Sequence, residues 1–164
     1  MKKRPYLLFV ALACAFLVSC SEDNDDPPPT PPIKTTEENL VARTWKLEDM
    51  IFLQNNAFGA YHRTGGGTTI NLMNDRILFM TGGTGTYTNT YDIPFDFTWE
   101  WADLEKSKMT LVIKDYANGG SMPGTNLTMS LENVTASETH VRYTEIYTNQ
   151  NGTKTISSMH RTPQ

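Results

Sequence analysis

Cysteine is scarce in this chain, with 2 among 164 residues, and neither lies beyond Cys20. The remainder therefore has no thiol for a disulfide, a thiolate metal site or a cysteine nucleophile. Basic charge is also short. The chain has 14 Lys and Arg against 18 Asp and Glu, a formal net charge of −4. Phosphate recognition needs a basic face, so nucleic acid is excluded as the main partner. There is one long apolar run, residues 6–18, and no second, which rules out a multi-span helical membrane protein. No segment after Glu38 sustains a 3.6-residue apolar period, so bundles and coiled coils are excluded too. Signatures of catalysis are missing: there is no Gly-x-Ser-x-Gly elbow, no His-Glu-x-x-His and no phosphate loop with its lysine. His62, His140 and His160 fall on separate segments without ligand spacing, so no metal and no cofactor are expected. Asp92, Asp96, Glu100 and Asp103 lie on or beside one strand and read as a solvated face rather than paired glycosidase carboxylates. The chain reads as a non-enzyme.

What is present begins with an address. Lys2, Lys3 and Arg4 precede the apolar stretch YLLFVALACAFLV, which has the length of a signal-peptide core. It ends in Leu17-Val18-Ser19-Cys20, which resembles the lipobox of bacterial lipoproteins. The resemblance implies removal of residues 1–19 and lipidation of Cys20, whose acyl chains (palmitate among them) anchor the mature protein to a membrane. More than one chain is what stable anchoring needs, at ~0.8 kcal/mol per buried CH₂. An ordinary secretory signal or an uncleaved anchor helix is the other reading of the same residues.

Residues 21–26, Ser-Glu-Asp-Asn-Asp-Asp, follow at once. They resemble the acidic tract behind the lipidated cysteine of surface-exported lipoproteins in the Bacteroidota. That resemblance implies the outer membrane, with the protein facing the cell exterior; a plain polar spacer is the blander account. Residues 27–32, Pro-Pro-Pro-Thr-Pro-Pro, form a polyproline II spacer of ~3.1 Å per residue. Residues 20–38 are thus read as lipidated cysteine plus tether, and residues 39–164 as the folded domain. Most of the acidity belongs to the tether. It carries six acids against Lys34, whereas the domain has twelve acids and ten bases.

The domain reads as all-β. Thr35 and Glu38 have the spacing of a capping box, which predicts one short helical turn. Of the residues from 39 onward, 20 are threonine, a β-branched residue that favours strands. The clearest strand is residues 94–101, with Phe95, Phe97, Trp99 and Trp101 on one face and Asp96, Thr98 and Glu100 on the other. Further strands are expected near 43–53, 68–73, 76–81, 85–92, 108–116, 126–134, 138–148 and 153–161, between Gly- and Asn-rich turns. Eight or nine short antiparallel strands predict an up-and-down barrel, or less simply a sandwich. If Asn151-Gly152 make a two-residue turn, Arg142 faces Arg161 across the last hairpin. Like charges there call for a carboxylate or an anionic ligand head between them, unless the pair splays into water or the register slips by one.

The order of helical turn, Leu40-Val41-Ala42-Arg43-Thr44-Trp45-Lys46-Leu47, short strands and a basic last strand resembles the lipocalin-like domains of Bacteroidota lipoproteins. The resemblance implies Trp45 as the plug of the closed end. It also implies an arginine from the last strand packed over it, Arg161 or else Arg142. Arg43 stands where lipocalins carry glycine, a departure that bears on barrel closure.

Two functions of different class follow. In one, the barrel interior takes a small apolar or amphipathic ligand against Phe95, Phe97, Trp99 and Trp101, with Arg142 and Arg161 as polar contacts and Met80 and Met109 as adaptable lining. In the other, those aromatics fill the core and the domain is a scaffold or glycan-contacting subunit, with Tyr87 and Tyr91 exposed for stacking on sugars.

Overall fold

The computed structural model describes residues 32–66, 70–116, 125–148 and 152–164. Cys20, the acidic tract and most of the proline spacer lie outside them. Residues Ile33–Gln164 form one compact unit, so the helical turn assigned by sequence to the end of the tether belongs to the folded body.

That turn is α1, Thr36–Leu40, closed by the expected capping box. Glu38 N donates to Thr35 Oγ1 at 3.2 Å, and Thr35 N donates to Glu38 Oε2 at 2.7 Å. Nine strands follow: β1 Thr44–Gln54, β2 Ala57–His62, β3 Arg76–Met80, β4 Thr84–Thr88, β5 Pro94–Trp101, β6 Met109–Ile113, β7 Leu127–Ala136, β8 Val141–Thr148 and β9 Lys154–Pro163. From β3 to β9 each strand pairs antiparallel with its successor, and β1 closes the circle by pairing with β3 on one side and β9 on the other. The result is a closed eight-stranded antiparallel barrel. β2 is the extra strand, folded back on the second half of β1.

Two sequence expectations differ here. Residues 57–62, outside the expected strands, are β2, and the described part of 68–73 is not strand. β2 arises from the pair Asn55-Asn56, which both take left-handed φ angles of 51° and 62°. Asparagine tolerates that region, and two such residues make the type I′ turn that suits a hairpin, joining Gln54 to Ala57.

The inner face of β5 falls as the alternation predicts. Phe97 and Trp99 are buried, Phe95 and Trp101 half-buried, and Asp96, Thr98 and Glu100 exposed. Phe97 and Trp99 both meet Phe79 edge-on, with ring centroids 5.4 and 5.8 Å apart, and Trp101 meets Trp99 at 5.8 Å. Their indoles are satisfied within the protein: Trp99 Nε1 donates to Thr84 O at 2.8 Å and Trp101 Nε1 to Glu37 Oε2 at 3.2 Å. The second bond ties β5 to α1, so this aromatic stack fills the half of the barrel nearest the helix.

Trp45 lies in the same half, fully buried, with Nε1 donating to Leu40 O at 2.8 Å. The cation over its ring is Arg43, 5.7 Å from the centroid, and not an arginine of β9. Arg161 reaches Trp45 only through the backbone carbonyl, at 3.5 Å.

The last hairpin corrects the sequence reading. Thr148 pairs with Lys154, which leaves five connecting residues instead of two and slips the register by one. Arg142 then pairs with His160 and points outward, while Arg161 pairs with Val141 and points inward. A one-residue slip moves a side chain to the other face of a sheet. The two arginines never meet.

Candidate functional site

Alternation sends every second residue of β7, β8 and β9 inward, but the side chains at the far end from α1 are not large enough to meet. Their gap is a cavity of about 1030 Å³. An eight-stranded barrel has an interior just wide enough to be filled or to hold one small ligand. Here the described side chains fill one half and leave the other open. Apolar wall comes from residues such as Met50, Ile77, Leu111, Met129, Leu131 and Met159. The thioethers that line it are therefore Met50, Met129 and Met159. Met80 is part-exposed and Met109 is fully buried, and neither lines the cavity.

A polar group is set into this wall where side chains from β4, β8, β9 and the segment before β3 converge across the interior. Arg161 is 1% exposed and Asp75 4% exposed, and Arg161 Nη2 lies 2.7 Å from Asp75 Oδ1. The segment before β3 holds Asp75 by its backbone: its N–H donates to Leu72 O, and its carbonyl accepts from Leu47 N, both at 3.0 Å. Tyr87 on β4 donates its hydroxyl to Asp75 Oδ2 at 2.6 Å. Arg161 Nε donates to Tyr143 Oη on β8 at 2.7 Å. Taking one charge out of water is costly unless it is paired, so the guanidinium, the carboxylate and the two phenols stand as one unit. Burial pushes the Tyr143 phenol up to about 12 and the Tyr87 phenol well above its ordinary value, so both stay protonated.

Two residues further along β8 from Tyr143, and so on the same face, is Glu145. It also lines the cavity, opposite Ser157 on β9 and Leu131 on β7. Burial drives its carboxyl up to about 7, Arg161 pulls it back, and Asp75 adds to the rise. Tyr147 and Tyr116 complete the aromatic part of the lining, and Tyr116 leans on Phe95 at 5.1 Å between ring centroids.

Of the side chains singled out from the sequence, Arg161 and Tyr87 are brought to the cavity. Phe95, Phe97, Trp99 and Trp101 are not among its lining residues; they pack the other half or back its wall. Arg142 is exposed and borders a shallow outer depression with Asp49, Asn133 and His160. Tyr87, expected at the surface for sugar stacking, is committed to Asp75, whereas Tyr91 is 71% exposed. The sequence reading missed Asp75, Glu145, Tyr116, Tyr143 and Tyr147. In the correct register β8 alone carries the signal: Val141, Tyr143, Glu145 and Tyr147 form a period-two row with one acid in an otherwise apolar and aromatic face.

On the outside of the barrel, Asp49 sits between two histidines, 2.8 Å from His62 Nδ1 and 3.0 Å from His160 Nδ1. Hydrogen bonding to His62, and then to His160, holds its carboxyl below the usual range. Among the described residues, no three His, Cys, Asp or Glu side chains are placed to hold a metal ion.

No family model, no curated protein and no solved structure matches this chain.

Proposed function

We propose that this is a lipid-anchored, surface-facing outer-membrane protein whose barrel binds one small apolar or amphipathic molecule and does no chemistry on it. The cavity of about 1030 Å³ carries this reading. It sits at the upper end of the ~300–1,000 Å³ typical of ligand sites, and it has the typical make-up of apolar walls with a few fixed polar groups. Arg161, Asp75 and Tyr143 supply polar groups that do not have to reorganise when a ligand arrives, which lowers the cost of binding. The anchor rests on the lipobox-like run ending at Cys20, and the outward orientation on the acidic tract behind it.

The test is mass spectrometry of the full-length protein extracted gently from its own membrane. A small molecule that leaves on denaturation is expected; a protein that carries none, and takes up none from a lipid extract, contradicts ligand binding. Protease treatment of intact cells should remove the domain, and its survival until lysis would overturn the outward orientation.

A further inference from the structure

The charge inventory of the cavity narrows the class of ligand, given the binding function just proposed. The described lining contains one cation, Arg161, and two carboxylates, Asp75 and Glu145. Residues 67–69, 117–124 and 149–151, the segments outside the described set in the folded body, contain no ionisable side chain. The single guanidinium is already committed to Asp75 at 2.7 Å and to Tyr143 at 2.7 Å. An anionic head group would therefore find no uncommitted cation. The acceptor side is different. Asp75 Oδ1 is buried and accepts no aligned hydrogen bond, even from the guanidinium beside it. Glu145 receives no hydrogen bond or ion pair from any described residue, yet it faces the cavity. Around these carboxylates the lining carries four phenol rings, Tyr87, Tyr116, Tyr143 and Tyr147.

We propose that the cavity is built for an amphipathic cation, an amine or quaternary ammonium on an apolar body, whose charge is met by Glu145 among these four tyrosines. Aromatic rings attract a cation through their quadrupole, and more so where water is excluded. Glu145 in the same place supplies the counter-charge for that cation, and the cation gives the part-buried carboxylate a partner in direct contact. The raised carboxyl of Glu145 agrees, since burial is its main cause and the Arg161 charge offsets it only in part. A bound cation would restore the ionised form. The apolar walls, with Met50, Met129 and Met159, accommodate the body of the ligand without demanding one shape.

The experiment is a matched titration at about pH 8, above the titration of Glu145, so that the carboxylate is charged. Full-length protein held in an amphipathic polymer is titrated with decylammonium, decanol and decanoate, against the empty polymer as blank. Decylammonium should bind about tenfold or more tighter than decanol, and decanoate should bind weakest. Glu145→Gln, which keeps shape and removes charge, should bring decylammonium down to the level of decanol and leave decanol unchanged. If decanol binds but the amine holds no advantage, or Glu145→Gln leaves that advantage intact, the cation assignment is wrong and the binding function stands. If none of the three binds, both fall.

Discussion

Arg161 is the residue on which the interior turns. Its guanidinium is buried, held by Asp75 and Tyr143, and it sits at the boundary between the filled and unfilled halves of the barrel. Removing one member of such a pair strands the other in a dry place, so Arg161→Gln should cost about 3–5 kcal/mol of stability. Replacing both ends with apolar residues, Asp75→Leu with Arg161→Met, should cost much less than the two single changes together. Chemical denaturation of the four proteins checks this; additive losses would mean the pair is not a unit. Glu145 behaves oppositely. Its carboxyl moves from an ordinary 4.5 to about 7 on folding, so the folded state holds a proton that the unfolded chain gives up first. The Glu145 contribution to stability is full below the unfolded value, falls as pH rises from about 4.5 to 7, and is flat above. The loss is at most about 3 kcal/mol. Glu145→Gln should flatten the dependence and be the more stable protein at pH 8, with no difference at pH 4. Melting curves across that range decide it. Of these residues the sequence pointed only to Arg161, through an assumed pairing with Arg142 and through the resemblance to lipocalin-like domains. Its partner Asp75 sits in a connecting segment, and nothing local says that a turn aspartate folds under a strand.

At the scale of the element, alternation and turn chemistry did most of the predicting. The β5 faces, the α1 capping box and most strand positions follow from period-two patterning and from Gly or Asn punctuation. What escaped was register and the hairpin of β1 with β2. The first depends on loop length, and an odd five-residue connection reads no differently from a tight Asn-Gly turn when only composition is consulted. The second depended on an Asn-Asn pair without glycine. Glycine within strands carries a different message. Gly85 on β4 lies under the Phe97 ring, and a Cβ there would stand 2.2 Å from Phe97 Cζ and 2.4 Å from Leu78 O. Backbone cannot move aside as a side-chain tip can, so Gly85→Ala should destabilise the barrel by about 1–3 kcal/mol. It should also broaden the aromatic NMR signals of Phe97. An unchanged melting midpoint would show that β4 and β5 are less tightly held than their spacing implies.

For the whole molecule, the barrel is half core and half container. α1, Trp45 and the Phe79–Phe97–Trp99–Trp101 stack occupy one end, while β8 and β9 present shorter or polar inward side chains toward the other. One of the two sequence readings has the aromatics of residues 95–101 filling the core. Nothing in the sequence says that the rings cluster at one end instead of spreading through both. Closure itself was expected, and the departure at Arg43 does not prevent it, because that arginine lies over the Trp45 ring at 5.7 Å. The half of the barrel left open by the described side chains can be filled by substitution. Ser157 on β9 is buried, faces inward and lines the cavity opposite Glu145. Calorimetric titration of decanol into the full-length protein and into Ser157→Trp measures whether the space is what binds. The account predicts saturable binding to the natural sequence and its loss, by about tenfold or more, in a variant that still melts cooperatively. Equal binding by the two proteins, or no binding by either, would contradict it.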